Sequence, residues 1–445
     1  MRQSASAARP RLFQAVVDAF KLPDLRAKLL FTLAMLVVFR FVAHVSIPGI
    51  DREALGELFD SNALLGMLNL FSGGAMRNLS IAAMGVYPYI TASIIMTLMT
   101  PIIPRLQAIS REGESGRKRL NLYTHYLTVP LAMLSSYGQL MLFQSQGVVT
   151  GVGFSGGNLL PTAAMVLTMT AGTIFLVWLG ERITESGIGN GISIIIFGGI
   201  IAGLPGNISN AYLTTGTGGL IKLLFLMIAI CFFIVFVTEA VRRIPVQYSR
   251  SIFRGGKMYR QAGGTHIPLK VNSAGMIPLI FAMSIVIFPG TVSSYFANNT
   301  NIGESANIAN HIQNFFSADG GFYWGIFFIL VVGFTFFYTM VVFQQQNLPE
   351  TLQKQGGFIP GVRPGRPTAD YLTRVITRIT WGGALFLGTV AIMPLISRAL
   401  TGGPTNLALM LISSTGLLIV VGVVLDTMRQ LESQLMMRRY EGFIK

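Results

Sequence analysis

The chain has 445 residues, a formal net charge of +15 and a hydrophobic content of 52%, yet charged residues make up only 11% of it. This number of charged side chains is too small to cover the surface of a soluble globular protein. The composition therefore predicts a membrane protein. The single cysteine, Cys231, excludes an internal disulfide and a cysteine-based metal site.

Apolar runs long enough to cross a bilayer recur along the whole chain. A run of about 20 apolar residues predicts a membrane helix, because a helix bonds its own backbone polar groups where water is absent. In chain order, we expect ten spans at 27–46, 81–103, 122–145, 160–180, 190–208, 219–241, 273–295, 322–344, 376–397 and 405–425.

The predicted spans form two halves of five, which therefore run in opposite orientations. That topology is typical of an inverted repeat around a central path, although the two halves share no visible sequence identity. We divide the chain into an N-terminal segment (1–26), a first half (27–208) with a short apolar segment at 62–74, a second half (209–425) with long loops at 242–271 and 346–375, and a C-terminal tail (426–445).

Most of the 33 basic residues lie in alternate loops and at the two ends of the chain. The positive-inside rule therefore predicts that both termini are cytosolic. The first span shows no signal-peptide cleavage site, so we expect it to stay in the membrane. This distribution also argues against nucleic-acid binding as the reason for the basic composition. Arg40 lies inside the first span, where an arginine either serves a function or reaches a carbonyl near the helix end.

The segment between the first two spans is apolar over 64–71 and ends at the Ser-Gly-Gly string 72–74. Its length, about half a span, favours a short helix that re-enters the protein from the outer side. The alternative is an amphipathic helix lying on the outer surface of the membrane. In the fifth span, Gly199 and Gly203 are four residues apart, a spacing that favours close packing of another helix.

Ionisable residues are nearly missing from the predicted spans, although they usually mark ion or proton transport. A path without charged groups suits a hydrophobic constriction, where a ring of aliphatic side chains excludes water and ions. Val86 and Ile90, like Ile192 and Ile196, lie four residues apart on one helix face, which ordinary packing also explains.

The two long loops, 242–271 and 346–375, are rich in basic, aromatic, glycine and proline residues. Loops of this length without their own secondary structure are usually functional or disordered. Their charge is typical of attraction to anionic lipid, whereas the mixture with aromatic residues and Pro-Gly turns favours docking of a protein or of ribosomal RNA.

Catalytic chemistry finds little support in the sequence. The string Gly153-Phe154-Ser155-Gly156 matches intramembrane serine proteases, but it falls in a predicted outer loop that no strand precedes. The four histidines lack the spacing of metal ligands, and no phosphate-binding P-loop string occurs. We therefore predict no enzyme activity, no metal and no cofactor. Two rival classes stay open: a secondary transporter, which needs a polar midplane site, and a protease, which needs a histidine to activate Ser155.

Motifs of one family follow each other along the chain. They are Phe71-Ser72-Gly73-Gly74, Pro88-Tyr89-Ile90, the run 112–117, Trp178-Leu179-Gly180-Glu181-Arg182, Gly187-Ile188-Gly189-Asn190-Gly191-Ile192-Ser193, Pro268-Leu269-Lys270-Val271-Asn272, Ala274-Gly275-Met276-Ile277-Pro278, Pro360-Gly361-Val362-Arg363-Pro364-Gly365 and Gly416-Leu417-Leu418-Ile419-Val420. Their order and content resemble the bacterial SecY family of protein translocase subunits, over essentially all of the predicted spans.

The resemblance implies an all-α membrane protein with ten transmembrane helices in two inverted five-helix halves around an hourglass pore, with a short re-entrant plug helix. It implies a protein-conducting channel that translocates unfolded secretory proteins across the bacterial cytoplasmic membrane and releases membrane segments sideways. The implied partners are the SecE and SecG subunits, the SecA motor ATPase, a translating ribosome, the unfolded preprotein with its signal sequence, and the lipid bilayer.

The resemblance also assigns residues by position. The pore ring corresponds to Val86, Ile90, Ile192, Ile196, Ile280 and Ile419, with Val86 where many relatives carry isoleucine. The plug corresponds to Leu64, Leu65, Met67, Leu68, Leu70, Phe71, Ser72, Gly73 and Gly74. The lateral gate corresponds to Thr91, Ser135 and Asn272, with Ser135 where relatives often carry a longer polar side chain. Docking of the motor or the ribosome corresponds to Arg242, Arg243, Arg250, Arg254 and Arg363.

Overall fold

The structure of the chain is a computed structural model. It describes residues 20–47, 50, 55, 56, 69, 72–145, 147–149, 151–153, 156–254, 257–286, 321–346, 348–401 and 414–441. The chain divides into two compact units, one formed by Met1–Thr214 with Ile419–Lys445 and the other by Thr215–Leu418.

Helices make up most of the described residues. In chain order they are α1 (Pro23–Val42), α2 (Tyr87–Ile102), α3 (Pro104–Arg111), α4 (Glu114–Ser145), α5 (Leu159–Ser186), α6 (Gly191–Thr238), α7 (Ile277–Val286), α8 (Gly321–Gln346), α9 (Leu348–Lys354), α10 (Arg366–Thr401) and α11 (Ser414–Glu441). The strands are β1 (Val241–Arg254), β2 (Lys257–Lys270) and β3 (Gly357–Phe358).

Several of these helices have the length and composition of membrane spans. Within the described residues, four qualify: Leu159–Ser186, Gly216–Thr238, Gly321–Lys354 and Arg366–Ile396. The predicted spans at 273–295 and 405–425 fall partly outside the described residues, so the count of ten stays a prediction.

The second predicted span ends in a sharp bend. Helices α2 and α3 meet at an angle of 99° and together pass the same test of length and hydropathy. Ile103, between them, is extended (φ −94°, ψ 113°) and precedes Pro104. A proline disfavours the helical conformation of the residue before it, so Pro104 accounts for the break and for the new helix that it begins.

The fifth and sixth predicted spans meet at a glycine. Helix α6 runs over both of them, but Gly216 interrupts it with φ 67° and ψ −175°. A positive φ of this kind is accessible to glycine without the steric penalty that a side chain would carry. The break falls within the predicted connection at 209–218, and it also lies next to the boundary between the two units.

In the first unit, α2, α4 and α5 pack against one another, and α1 packs on α5. Their core contains fully buried Leu79, Leu140, Phe143 and Met169. In the second unit, α8 packs along α10, where the rings of Phe336 and Trp381 meet at 4.9 Å between centroids. Each unit therefore buries an apolar helix interface of its own.

The loop predicted at 242–271 has regular structure that sequence reasoning did not identify. Strands β1 and β2 form an antiparallel hairpin that pairs Val241 with Lys270 at one end and Arg254 with Lys257 at the other. Strand β3, from the second long loop, joins the free edge of β1, where Gln247 pairs with Phe358 and Tyr248 with Gly357. The two loops therefore form one sheet.

Candidate functional site

The six aliphatic residues assigned to the pore ring occupy the starts or interiors of four helices. Val86 is the N-cap residue of α2, and Ile90 lies one turn later, where its N–H donates to Val86 O at 3.0 Å. Ile192 and Ile196 lie in the first two turns of α6, Ile280 lies in α7, and Ile419 lies near the start of α11.

None of these six side chains lies on an exposed apolar surface. Val86, Ile196, Ile280 and Ile419 are buried, and Ile90 and Ile192 are half-buried. Ile280 belongs to the second unit and the other five to the first. A lipid-facing position would leave an aliphatic side chain largely exposed in the protein alone, as Phe225 and Phe232 of α6 are. The six positions are therefore compatible with an inward role.

Of the nine residues assigned to the plug, Ser72, Gly73 and Gly74 are described, and Leu64, Leu65, Met67, Leu68, Leu70 and Phe71 lie outside the described residues. Arg40 of α1 reaches this segment, where its Nη1 donates to Gly73 O at 2.7 Å. The arginine inside the first predicted span thus meets a backbone carbonyl, one of the two roles that the sequence left open. A charge-assisted hydrogen bond of this length is among the stronger ones in proteins.

The residues assigned to the lateral gate are polar groups within apolar surroundings. The Thr91 hydroxyl donates to Tyr87 O of its own helix at 3.1 Å, and Ser135 is half-buried in α4. Asn272 is buried, and its Oδ1 has no hydrogen-bond partner among the described residues. An unpaired buried acceptor costs about 1–3 kcal/mol of stability.

The most specific motif, 187–193, forms the tight connection from α5 to α6. Its backbone N–H groups donate to side chains: Ile188 to Thr32 Oγ1 at 3.3 Å, Gly189 to Gln430 Oε1 at 3.0 Å and Gly191 to Thr184 Oγ1 at 2.9 Å. Thr32 belongs to α1 and Gln430 to α11, so helices from both ends of the chain support this connection. Side-chain oxygens thus accept hydrogen bonds from these backbone N–H groups, as they do from the unpaired N–H groups at the start of a helix.

Glycine is required in this connection because there is no space for a side chain. A Cβ at Gly191 would overlap the carbonyl oxygen of Gly180, and Gly189 adopts φ +84°. Around it, buried Leu25, Ile188 and Leu431 form a small apolar cluster. The motif that identifies the family in the sequence is thus an architectural element of the first unit.

The two long loops together form a surface that we call the basic platform: β1, β2, α9, β3 and the turn 359–365. Its apolar side packs Ile244 and Val246 of β1 against Leu352, Ile359 and Leu372. Its other side exposes Arg243, while Arg242 is exposed at the end of the hairpin. Alternation along β1 therefore separates a buried apolar face from an exposed polar one.

A defined turn at residues 359–362 directly precedes Arg363. Val362 N donates to Ile359 O at 3.0 Å, Pro360 fills the second position and Gly361 the third with φ 83°, the geometry of a type II turn. The Arg363 carbonyl accepts a hydrogen bond from Thr368 Oγ1 at 2.8 Å, and the arginine is exposed. The side chains of Arg250 and Arg254 lie outside the described residues, although their backbones belong to β1.

Sequence reasoning missed a polar cluster in the first unit. His125 of α4 and Glu181 of α5 are in contact at 2.7 Å, and Asn121 Nδ2 donates to Glu181 Oε1 at 3.0 Å. The hydroxyl of Tyr89 in α2 donates to Asn121 Oδ1 at 3.2 Å. The four residues tie three helices together. The spacing of Asn121 and His125, one helical turn, was the only available indication, and nothing in the sequence pointed to Glu181 as their partner.

Ser155, the nucleophile that the protease alternative requires, lies outside the described residues. His125, the histidine with a described acidic partner, uses that partner to connect α4 and α5. The protease alternative therefore gains no support from the described part of the first unit.

Comparison with known proteins gives a consistent result. The sequence model of the SecY family matches residues 80–428. The protein translocase subunit SecY of Streptomyces griseus is 43% identical over 98% of this chain and 100% of its own length. The SecY subunits of Halalkalibacterium halodurans and Bacillus subtilis are 42% and 39% identical with the same coverage.

Solved structures share the fold. A structure described as that of a protein conducting channel superposes with a TM-score of 0.61 at 17% identity, covering 94% of this chain and 96% of its own. Sec61 from a canine ribosome–channel complex of the endoplasmic reticulum gives 0.59, with the same identity and coverage. At this identity the likeness establishes the fold alone.

Membrane-length apolar helices and the superposition on these structures define a mostly helical protein with the SecY/Sec61 fold. With full-length relatives at about 40% identity, the chain belongs to the SecY family of protein translocase subunits.

Proposed function

We propose that this chain forms the path by which unfolded secretory proteins cross the bacterial cytoplasmic membrane, and from which apolar segments leave sideways into the bilayer. The observation that carries the proposal is the match to SecY subunits over 98% of the chain at 43% identity. Charged residues are nearly missing from the predicted spans, which fits a path that conducts polypeptides rather than ions.

In this proposal Val86, Ile90, Ile192, Ile196, Ile280 and Ile419 form the constriction. Aliphatic side chains deform around a chain of any sequence, and they exclude water when they meet again. A narrow apolar ring therefore limits ion leakage without selecting among side chains. Burial of four of the six residues supports this assignment, because a closed ring leaves little of its surface accessible.

Residues 64–74 serve as the plug beneath that ring. The segment is apolar and too short to cross the membrane, which suits a helix that enters the protein. One of the solved relatives by fold concerns the plug domain of SecY, described as stabilising the closed state and maintaining a membrane seal. The contact of Gly73 with α1 supports the same role for this segment.

Release of apolar segments depends on a lateral gate that includes Thr91, Ser135 and Asn272. Leaving water for lipid stabilises an apolar segment by about 25 cal/mol per Å² of buried surface, so partition selects the segments that leave. The buried, unpaired Oδ1 of Asn272 supports a gate position, because a rearrangement that supplies a donor would recover the lost hydrogen bond.

The basic platform docks the partner that drives transport, either the SecA motor or a translating ribosome. Arg242, Arg243 and Arg363 are exposed on it, and Arg250 and Arg254 extend the same charge along β1. Two relatives by fold, Sec61 and Ssh1, are described in complexes with ribosomes. Bidentate arginine contacts suit both phosphate groups and carboxylates.

Both termini lie in the cytosol in this proposal, as the positions of the basic residues indicate. The chain acts with SecE and SecG and without a cofactor, because the energy for transport comes from the docked partner. The domain boundaries are those given above, with the plug in the first half and the basic platform in the second.

Crosslinking from the ring tests the proposal directly. A photoreactive residue at Ile192 is expected to crosslink to a secretory chain stalled during translocation. Ile201 is a matched control, since it is also an isoleucine of α6 but is 41% exposed. Equal crosslinking at both positions, or crosslinking at Ile201 alone, would contradict the assignment of Ile192 to the path.

A further inference from the structure

The C-terminal end of the predicted plug, at Gly73, rests directly on two helices of the first unit. Gly73 adopts φ +67°, and a Cβ there would lie 2.7 Å from Phe39 Cζ and 2.9 Å from Gly199 Cα. Phe39 belongs to α1 and is buried, and Gly199 belongs to α6. Glycine is therefore required at position 73 for two separate reasons, its backbone conformation and the absence of space.

Arg40 fixes the same point by a hydrogen bond. Its Nη1 donates to Gly73 O at 2.7 Å. A half-buried arginine in an apolar helix needs such acceptors, because an unpaired charge there is costly. The guanidinium and the carbonyl thus satisfy each other at a defined position along α1.

The turn on the other side of Gly73 is closed by its own side chains. The Ser72 hydroxyl donates to Asn69 O at 3.0 Å and accepts from Met76 N at 3.0 Å. Asn69 Oδ1 accepts from Arg77 N at 3.0 Å. These bonds connect residues on both sides of Gly73, so the contact at Gly73 also positions the residues bonded around it.

The contact between Gly73 and Gly199 lies close to the proposed ring along α6. Gly199 lies three residues after Ile196, one helical turn from a residue of the proposed ring. The end of the plug segment is thus attached one turn from the constriction that the plug would seal.

We infer that Phe39, Arg40, Gly73 and Gly199, here called the Gly73 anchor, fix the C-terminal end of the plug so that the plug returns to the ring after each translocated chain has left. Arg40 is a positioning residue for the seal. The inference rests on the proposed function of residues 64–74 and assigns to α1 and α6 the task of holding that segment in register with the ring.

Glycine-to-alanine changes test the packing half of the anchor. Gly199→Ala inserts a methyl group against Gly73 without backbone strain, and it raises intrinsic helix propensity, so a loss of function comes from the contact itself. We expect a several-fold rise in resting ion conductance of the purified complex in a planar bilayer. Gly206→Ala in the same helix, where a Cβ would have nothing within 4 Å, is expected to leave conductance unchanged.

Position 73 has its own matched control. Gly73→Ala and Gly74→Ala introduce comparable backbone strain, at φ +67° and +84°, but only Gly73 is closed by neighbouring atoms. The nearest atom to a Cβ at Gly74 is Arg40 Nη1, at 3.8 Å. We expect a clearly larger rise in conductance for Gly73→Ala than for Gly74→Ala. Equal effects would mean that backbone strain, and not loss of the Gly73 anchor, causes the rise.

Arg40→Met removes the hydrogen bond at similar side-chain length, and Arg40→Lys restores a donor. The first is expected to raise resting conductance several-fold, and the second to recover part of the seal. Because Arg40 acts through the plug, Arg40→Met should add nothing to a chain that lacks residues 64–72. An equal further rise in that background would overturn the inference and leave the plug standing.

The deletion also separates the two hypotheses. If removing residues 64–72 does not raise resting conductance, the plug assignment itself is wrong. If it does, while Gly199→Ala and Arg40→Met behave as the unchanged chain, the plug stands and the anchor is overturned. Should Arg40→Met fail to accumulate, Gly199→Ala and Arg40→Lys carry the test.

Discussion

The connection 187–193 and the β1–β2 hairpin are stabilised by different kinds of hydrogen bond. The connection 187–193 is short, and side chains of α1, α5 and α11 bond its backbone N–H groups. The hairpin of β1 and β2 is long, and its backbone groups bond each other along 14 paired residues. The first is therefore tied to distant parts of the chain, and the second is ordered locally. We therefore expect substitutions in the connection 187–193 to lower the stability of the protein. Substitutions in the β1–β2 hairpin should instead weaken the binding of a partner.

Gly191→Ala is expected to have the largest effect on stability. Its methyl group would overlap the carbonyl oxygen of Gly180, a backbone atom that moves only with α5. Overpacking of this kind costs about 1–3 kcal/mol, and the absence of a flexible neighbour places Gly191 at the upper end. Thermal unfolding of the purified complex in detergent measures the change, with Gly206→Ala as the control. A midpoint equal to that control would show that the connection tolerates a shift.

Gln430→Leu should have an intermediate effect. It removes the acceptor of the Gly189 N–H, and a buried donor left unpaired costs about 1–3 kcal/mol. Gln434, one turn further along α11, has a buried Oε1 with no hydrogen-bond partner among the described residues. We therefore expect Gln434→Leu to be neutral or stabilising in the same unfolding measurement. Similar losses for both variants would mean that α11 responds to leucine rather than to the lost bond.

Charge reversal on the basic platform should change stability least. Arg243 and Arg363 are exposed, so Arg243→Glu and Arg363→Glu are expected to alter the free energy of unfolding by only about 0.5 kcal/mol or less. Co-sedimentation with ribosomes and with purified SecA should fall several-fold, and the binding that remains should depend less steeply on salt because fewer charge contacts are left to screen. Arg105→Glu makes the same change of charge at an exposed position of α3, outside the basic platform, and serves as the control. An equal loss for Arg105→Glu would favour general attraction to anionic surfaces, including lipid.

Local sequence patterns predicted much of the helical structure. The runs at 27–46, 322–344 and 376–397 correspond to α1, α8 and α10, because an apolar segment in a membrane has few alternatives to a helix. The break between the fifth and sixth spans was also expected, and it occurs at Gly216. These features depend on composition over a single segment.

Features that depend on long-range contacts were not predictable in this way. The hairpin was missed because glycines and basic residues interrupt its alternation, and its edge is completed by β3, about a hundred residues later. Arg40 was recognised as unusual, but its partner Gly73 lies 33 residues away. His125 and Glu181 are separated by 56 residues. No pattern within one segment encodes such pairs, whereas the ring, plug and gate were assigned from the resemblance of motifs and stay predictions.

The pairing of β1 with β3 gives the basic platform a mechanical property. The hairpin and the segment before α10 share one sheet and one apolar core. A force on the hairpin is therefore transmitted to the first turns of α10 through packed residues. In the proposed docking role, a partner bound to these arginines would therefore act on a surface that shares its core with the membrane-length helix α10 of the second unit.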